Sequence, residues 1–227
     1  MNSNQKILVI VAHTDDEAIG MGGTIAKHVA AGDEVYCIAM TNGVGARENA
    51  EVADIKSRAE AAKVAARAMG YKWLAQYDFP DNQLDSVPMI KVIQAIEEAT
   101  ASFHPNIIYT HAAVDLNVDH QIVSRAVLTA FRPGVNNITP EIRLFEVASA
   151  TDYGYRDVTG QFTPNLYVDI TATWPQKEQG LNVYHEEMRS PPHSRSIGTI
   201  KALAQLRGSQ SGLSMAEAFT IIRRVEQ

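Results

Sequence analysis

Only one cysteine, Cys37, occurs in the 227 residues, so no disulfide can close within the chain. That usage points to a reducing compartment, and the cytoplasm is the expected location. Basic charge is not in surplus: 20 Lys and Arg stand against 26 Asp and Glu, a net charge of −6. Without a basic stripe, neither nucleic acid nor an acidic membrane surface is an expected partner. Long hydrophobic runs are missing too. The run at residues 7–12 is too short to cross a bilayer. No basic segment followed by a small-residue cleavage site marks a secretory signal. Repeats and low-complexity linkers are absent. With 45% hydrophobic and 20% charged residues, the composition is globular, which excludes a disordered chain, a coiled coil and a collagen-like repeat. A chain this long buries most of its apolar surface, and residues 1–227 read as one domain.

Short apolar runs alternate with helical periodicity over the first 130 residues. Strands are expected at residues 7–12, 35–40, 73–77 and 107–110, and helices at 18–31, 50–69, 88–103 and 120–131. The first two helices stop at Gly32 and Gly70, where a left-handed residue ends a helix without strain. Ser86 is read as the N-cap of the third, with Pro88 in its first turn. This alternation predicts a mostly parallel α/β sheet with helices on both faces. Beyond a loop at 132–140, strands are expected at 142–148 and 166–170, and helices at 176–188, 197–207 and 215–224. That C-terminal third is expected to cap the sheet.

Open α/β sheets bind ligands at the carboxyl ends of their strands. Two loops there are rich in ligand-type residues: His13-Thr14-Asp15-Asp16-Glu17 after the first strand, and His111 through His120 after the fourth. Thr14 and Glu17 have the spacing of a capping box, but that leaves His13 unexplained. His13 and Asp16 span a strand-to-helix turn and can meet at one ion, and His120 is the natural third ligand. Three protein ligands and an open position make a hydrolytic zinc site. Asp15, beside the ligands but not needed as one, is placed as general base to a metal-bound water. Gly20-Met21-Gly22-Gly23 lacks the spacing of a dinucleotide loop, so no nucleotide cofactor is expected. Cys37 reads as a core thiol on the face of Val35 and Ala39. Tyr153, Tyr155 and Tyr167 are read as core packing, or alternatively as pocket lining.

The two loops, taken with Gly22-Gly23-Thr24, Thr41-Asn42-Gly43, Arg58-Ala59-Glu60, Phe79-Pro80-Asp81, Asp119-His120 and Ala216-Glu217-Ala218-Phe219, resemble the PIG-L/LmbE-like zinc-dependent de-N-acetylases. The resemblance runs from about residue 6 to 220. It implies a Rossmann-like fold and hydrolysis of an N-acetyl group on an N-acetylglucosamine-type sugar or conjugate. It implies His13, Asp16 and His120 as zinc ligands, Asp15 as base, and Arg58 and Asp81 against sugar hydroxyls. Arg58 can alternatively pair with Asp54 on its own helix, and Asp81 can be a plain turn residue. Thr14 stands where the family has proline. Asn117 stands where many members have a histidine that protonates the amine or steadies the oxyanion. An amide can donate to an oxyanion but cannot be an acid. Asn117, Asp119 and His193 are placed with Arg58 and Asp81 on the substrate side. His193, His111 and Asp15 remain the candidates for the acid. Relatives often form closed oligomers, so a homo-oligomer stays open. The competing readings are a metal-dependent phosphoesterase and a non-catalytic sugar-binding module on the same fold.

Overall fold

The computed structural model describes residues 4–48, 51–134 and 139–226. Seven strands form one sheet in the order β3-β2-β1-β4-β5-β7-β6. They are β1 (Lys6–Val11), β2 (Glu34–Thr41), β3 (Lys72–Phe79), β4 (Ile107–His111), β5 (Glu141–Phe145), β6 (Leu166–Asp169) and β7 (Ala216–Arg223). β1 to β5 run parallel, and β7 pairs antiparallel with both β5 and β6. The helices are α1 (Asp16–Ala30), α2 (Val52–Met69), α3 (Met89–Ala99), α4 (Val118–Ala130), the single turn α5 (Arg156–Thr159), α6 (Trp174–Val183) and α7 (Ile197–Ser209).

β1 reads as an unbroken apolar run because both its faces are covered. Ile7, Val9 and Val11 pack with Ile25, Met69 and Leu181 of α1, α2 and α6. Leu8, Ile10 and Ala12 pack with Ile96 of α3 and Val123 and Val127 of α4. Cys37 lies in the first of these cores, fully buried. The smaller departures from expectation lie at element ends. The expected start of α2 at Ala50 falls outside the described residues, as do positions 135–138 of the loop at 132–140. Ser86 does not cap α3; it closes a 3-10 turn, and Pro88 takes the N-cap position. The helix expected at 176–188 is the shorter α6, opened by Trp174-Pro175.

The expected helix at 215–224 is wrong: this segment is β7. Ala216-Glu217-Ala218 are good helix formers, but the run Phe219-Thr220-Ile221-Ile222 is aromatic and β-branched, which suits a pleated surface. Pairing with β5 and β6 decided the outcome. The C-terminal third therefore extends the sheet as well as covering it.

β7 also shapes α1. That helix breaks at Met21 (φ −147°, ψ 23°). A straight helix would pair the Gly23 N–H with the Ile19 carbonyl. Here the Glu217 carboxylate accepts from Gly23 N (3.0 Å) and Thr24 N (2.7 Å), and the Lys177 ammonium donates to Ile19 O (2.8 Å). Lys177 and Glu217 pair at 2.6 Å, both buried. An ion pair is thus inserted into the helix ladder, one of the recognised causes of a kink. Gly20 and Gly23 let Phe145 and Ile170 pack close against the broken helix, since a Cβ would run into the Phe145 ring at one and Ile170 at the other.

Candidate active site

The loop after β1 leads straight into α1, and the loop after β4 leads into α4, so both deliver side chains to one sheet end. His13 Nδ1, Asp16 Oδ2 and His120 Nε2 form a triangle with all three sides 3.3 Å. A tetrahedral zinc with bonds of about 2.0–2.1 Å needs ligand atoms about 3.3–3.4 Å apart. The donor set therefore fits a zinc-sized ion as it stands. The far nitrogens are also provided for. His13 Nε2 faces Asp81 Oδ1 (3.2 Å) and Asp119 Oδ2 (3.3 Å), and His120 Nδ1 faces Asp115 Oδ2 (3.1 Å). Carboxylates in that position fix the ring orientation and tautomer of a metal-binding histidine. Asp115 is itself held by Thr151 Oγ1 (2.7 Å) and Asn117 N (2.8 Å).

Electrostatics favour a cation here. Burial opposes charge on His120, but Asp16 and Asp115 outweigh it and raise the ring to about 9. Burial likewise opposes protonation of His13, and Asp119, Asp16 and Asp81 overcome it. Asp16 is held well below the carboxylate range, against burial, by His120 and His111. A site that attracts protons this strongly attracts a metal ion, and the two compete.

Asp15 lies at the N-terminus of α1 with φ 154°, uncommon for a residue with a Cβ. Its Oδ1 meets Arg58 Nη2 at 3.0 Å, while its buried Oδ2 accepts no hydrogen bond. Burial raises its pKa, with Arg58 working the other way. The Thr14–Glu17 capping box does not form. Thr14 Oγ1 accepts from Arg58 Nε (2.9 Å). Glu17 accepts the Tyr71 and Tyr184 hydroxyls, both at 2.8 Å, and the Asp15 N–H at 3.0 Å. Burial pushes Glu17 up to about 7.

Arg58 is buried and reaches Asp15 and Glu187 Oε1 (2.7 Å) rather than Asp54. Asp54 caps α2 instead, accepting from Glu51 N. Asp81 is buried, accepts from Ala46 N (3.0 Å), and keeps an edge on the cleft. That cleft, open to solvent and about 690 Å³, is lined by the three ligand-type residues, Asp15, Arg58, Asp81, Asn117 and Arg195, among others. Asn117 is the N-cap of α4: its Oδ1 accepts from Asp119 N (2.8 Å) and its Nδ2 donates to Asn82 Oδ1 (3.0 Å).

Three expected residues do not line the cleft. Asp119 is fully buried and accepts from Asn82 N and Leu84 N, so it orders that loop and faces His13. His111 is sealed in, its Nε2 accepting from Ala12 N (2.8 Å) and its ring stacked on His120 at 3.9 Å. His193 turns its ring edge to Tyr153 and accepts from Arg195 N. Tyr153 and Tyr155 are exposed, 45% and 73%, and are neither core nor cleft lining. Arg47, Glu187 and Arg195 line the cleft but did not stand out in the sequence. Arg195 sits in the same Ser-Pro-Pro-His-Ser-Arg-Ser stretch as His193, and its charge in a Pro-bounded loop was an equal signal.

Fold and cluster together define a Rossmann-like α/β protein with a metal-competent His/Asp/His centre at the carboxyl end of its sheet. Residues 8–131 match the family model described as PIG-L: GlcNAc-PI de-N-acetylase. A diacetylchitobiose deacetylase of Thermococcus kodakarensis is 36% identical over 233 residues, covering 97% of this chain and 84% of the relative. An N,N'-diacetylchitobiose deacetylase from Pyrococcus horikoshii, solved with an inhibitor, superposes with a TM-score of 0.76 at 22% identity, over 96% of this chain and 84% of that one. A 4-carboxy-2-hydroxymuconate hydratase from Pseudomonas putida KT2440 shares the fold with a TM-score of 0.75 at 19% identity, over 98% of each chain. The chain belongs to the PIG-L de-N-acetylase family and is an enzyme of that family. Among the described residues, no helix is long and apolar enough to cross a membrane.

Proposed function

We propose that this protein, acting as one domain over residues 1–227, is a zinc-dependent hydrolase that removes the N-acetyl group from an N-acetylglucosamine-type sugar or conjugate. The observation that carries this reading is the 3.3 Å triangle of His13, Asp16 and His120 beside an Asp15 oxygen that accepts no hydrogen bond. The likeness to a diacetylchitobiose deacetylase supports a short N-acetylated sugar as substrate. The ion that this set would hold supplies Lewis acidity, which polarises a carbonyl and makes a water acidic near about pH 7.

The chain's own residues do the rest. Arg58 fixes Asp15 through Oδ1 and so leaves Oδ2 facing the reaction. Asp15 Oδ2 takes a proton from the attacking water and returns it to the amine nitrogen as the carbon–nitrogen bond breaks. Asp81 and Asn117 edge the cleft where sugar hydroxyls would lie. The test is acetate release from N-acetylglucosamine and N,N'-diacetylchitobiose, with and without a chelator. Release that a chelator abolishes and zinc restores is expected, with one equivalent of metal per chain. His120→Ala should drop bound metal well below one equivalent. Two equivalents, with phosphate release from sugar phosphates and no acetate, would favour the phosphoesterase instead.

A further inference from the structure

Hydrolysis of an amide puts negative charge on the carbonyl oxygen, and a preorganised donor aimed there lowers the barrier. The donors of the residues singled out in the sequence are largely engaged elsewhere. His111 is sealed under the Ala12 N–H, and His193 faces Tyr153. The Asn117 amide caps α4 and holds Asn82. Arg58 has Thr14, Asp15 and Glu187 on its three nitrogens.

Arg195 is different. It lines the cleft, about three-quarters buried, and only its Nε is firmly held, donating to Ser149 Oγ at 2.9 Å. Its Nη1 stands 3.6 Å from Asp15 Oδ2 and 3.9 Å from Glu187 Oε2, beyond hydrogen-bond reach of either. The guanidinium is therefore anchored at one corner and presents unspent N–H groups next to the free oxygen of the base. Its seat is built. Ser149 takes the left-handed conformation, φ 66°, which a residue with a side chain adopts only when its surroundings demand it. The Arg195 N–H is tied to His193 Nδ1 at 3.0 Å, and Ser196 caps α7 directly after it.

We propose that Arg195 is a catalytic donor of this site, its Nη groups hydrogen-bonding the carbonyl oxygen of the scissile amide as charge develops, with Ser149 as the positioning residue that aims it. This rests on the deacetylase reading above. Arg195 acts only as a hydrogen-bond donor and transfers no proton. The proton taken at Asp15 Oδ2 is the one delivered to the leaving amine, so the step balances without another acid.

The experiment compares Arg195→Ala, Arg195→Lys and Ser149→Ala in the zinc-loaded full chain, reading kcat, KM and bound metal separately. Arg195→Ala should lose kcat on the order of 10²–10³-fold, as for one oxyanion donor removed, with KM and metal content close to wild type. Added guanidinium ion at low concentration should restore part of that loss in Arg195→Ala, but nothing in His120→Ala. Arg195→Lys keeps the charge and the loop but not the forked donor, so it should still lose about tenfold or more. Ser149→Ala should fall between it and the wild type. An unchanged kcat, a rise in KM alone, or a loss of metal in step with activity overturns the role of Arg195. If the wild type itself releases no acetate, the deacetylase reading falls and this one with it; release by the wild type with equal kcat in the variants sinks Arg195 alone.

Discussion

Asp15 has one oxygen held by Arg58 and the other free, which suits a group that must take and return a proton. Asp15→Asn should therefore keep the metal, because the ligand atoms belong to His13, Asp16 and His120, while kcat falls about 10²–10⁴-fold. Metal content and turnover measured on the same preparation check this. A variant that sheds its zinc would show that Asp15 holds the ligands rather than the proton. The residues of this centre were readable because their chemistry is concentrated in two short segments at the ends of β1 and β4. What they bind was not. Thr14 and Glu17 have capping-box spacing, yet Thr14 receives Arg58 from α2, and Glu17 receives Tyr71 and Tyr184 from distant segments. Asp119 looked like a cleft residue and is instead buried under two backbone N–H groups. Such partners lie tens of residues away, and spacing carries no information about them.

At the scale of elements, the broken α1 and β7 depend on each other. Glu217→Ala would leave the Lys177 ammonium buried and the Gly23 and Thr24 N–H groups unmet. Breaking a buried pair this way costs about 3–5 kcal/mol. The double variant Lys177→Met/Glu217→Gln removes the orphaned charge and keeps an acceptor for the kink. It should melt well above Glu217→Ala, and thermal unfolding of the two variants decides it. Equal melting temperatures would mean that the pair is not what holds the kink. The Ala-Glu-Ala stretch was legible as a motif but not as a strand. Its local preference is helical, and only the edges of β5 and β6, which it joins, outweighed that preference.

Across the whole molecule, the end of α1 farthest from the cleft carries a separate polar chain. His28 Nδ1 meets Asp33 Oδ2 at 2.7 Å and its Nε2 meets the Tyr109 hydroxyl at 2.9 Å, which Arg143 holds from the other side. Burial lowers the His28 pKa below its usual value near 6.5, with Asp33 opposing. Above about pH 6.5 the ring is neutral folded or unfolded. As the pH falls below that, the unfolded chain takes the proton more readily and the fold loses stability. His28→Gln should flatten the decline in melting temperature between about pH 6.5 and 5; the same slope in both proteins would acquit His28. By itself the sequence determined the α/β alternation, the double-sided burial of β1 and the placing of His13, Asp16 and His120 at one sheet end. Those follow from periodicities of two and 3.6 residues and from the rule that strand ends make the site. Only the tertiary structure decided that β7 closes the sheet, that α1 breaks around Lys177 and Glu217, and that Arg195 rather than His193 faces Asp15. Each of these turns on which distant group fills a space or meets a polar atom, and that is settled by packing in three dimensions, not by neighbours along the chain.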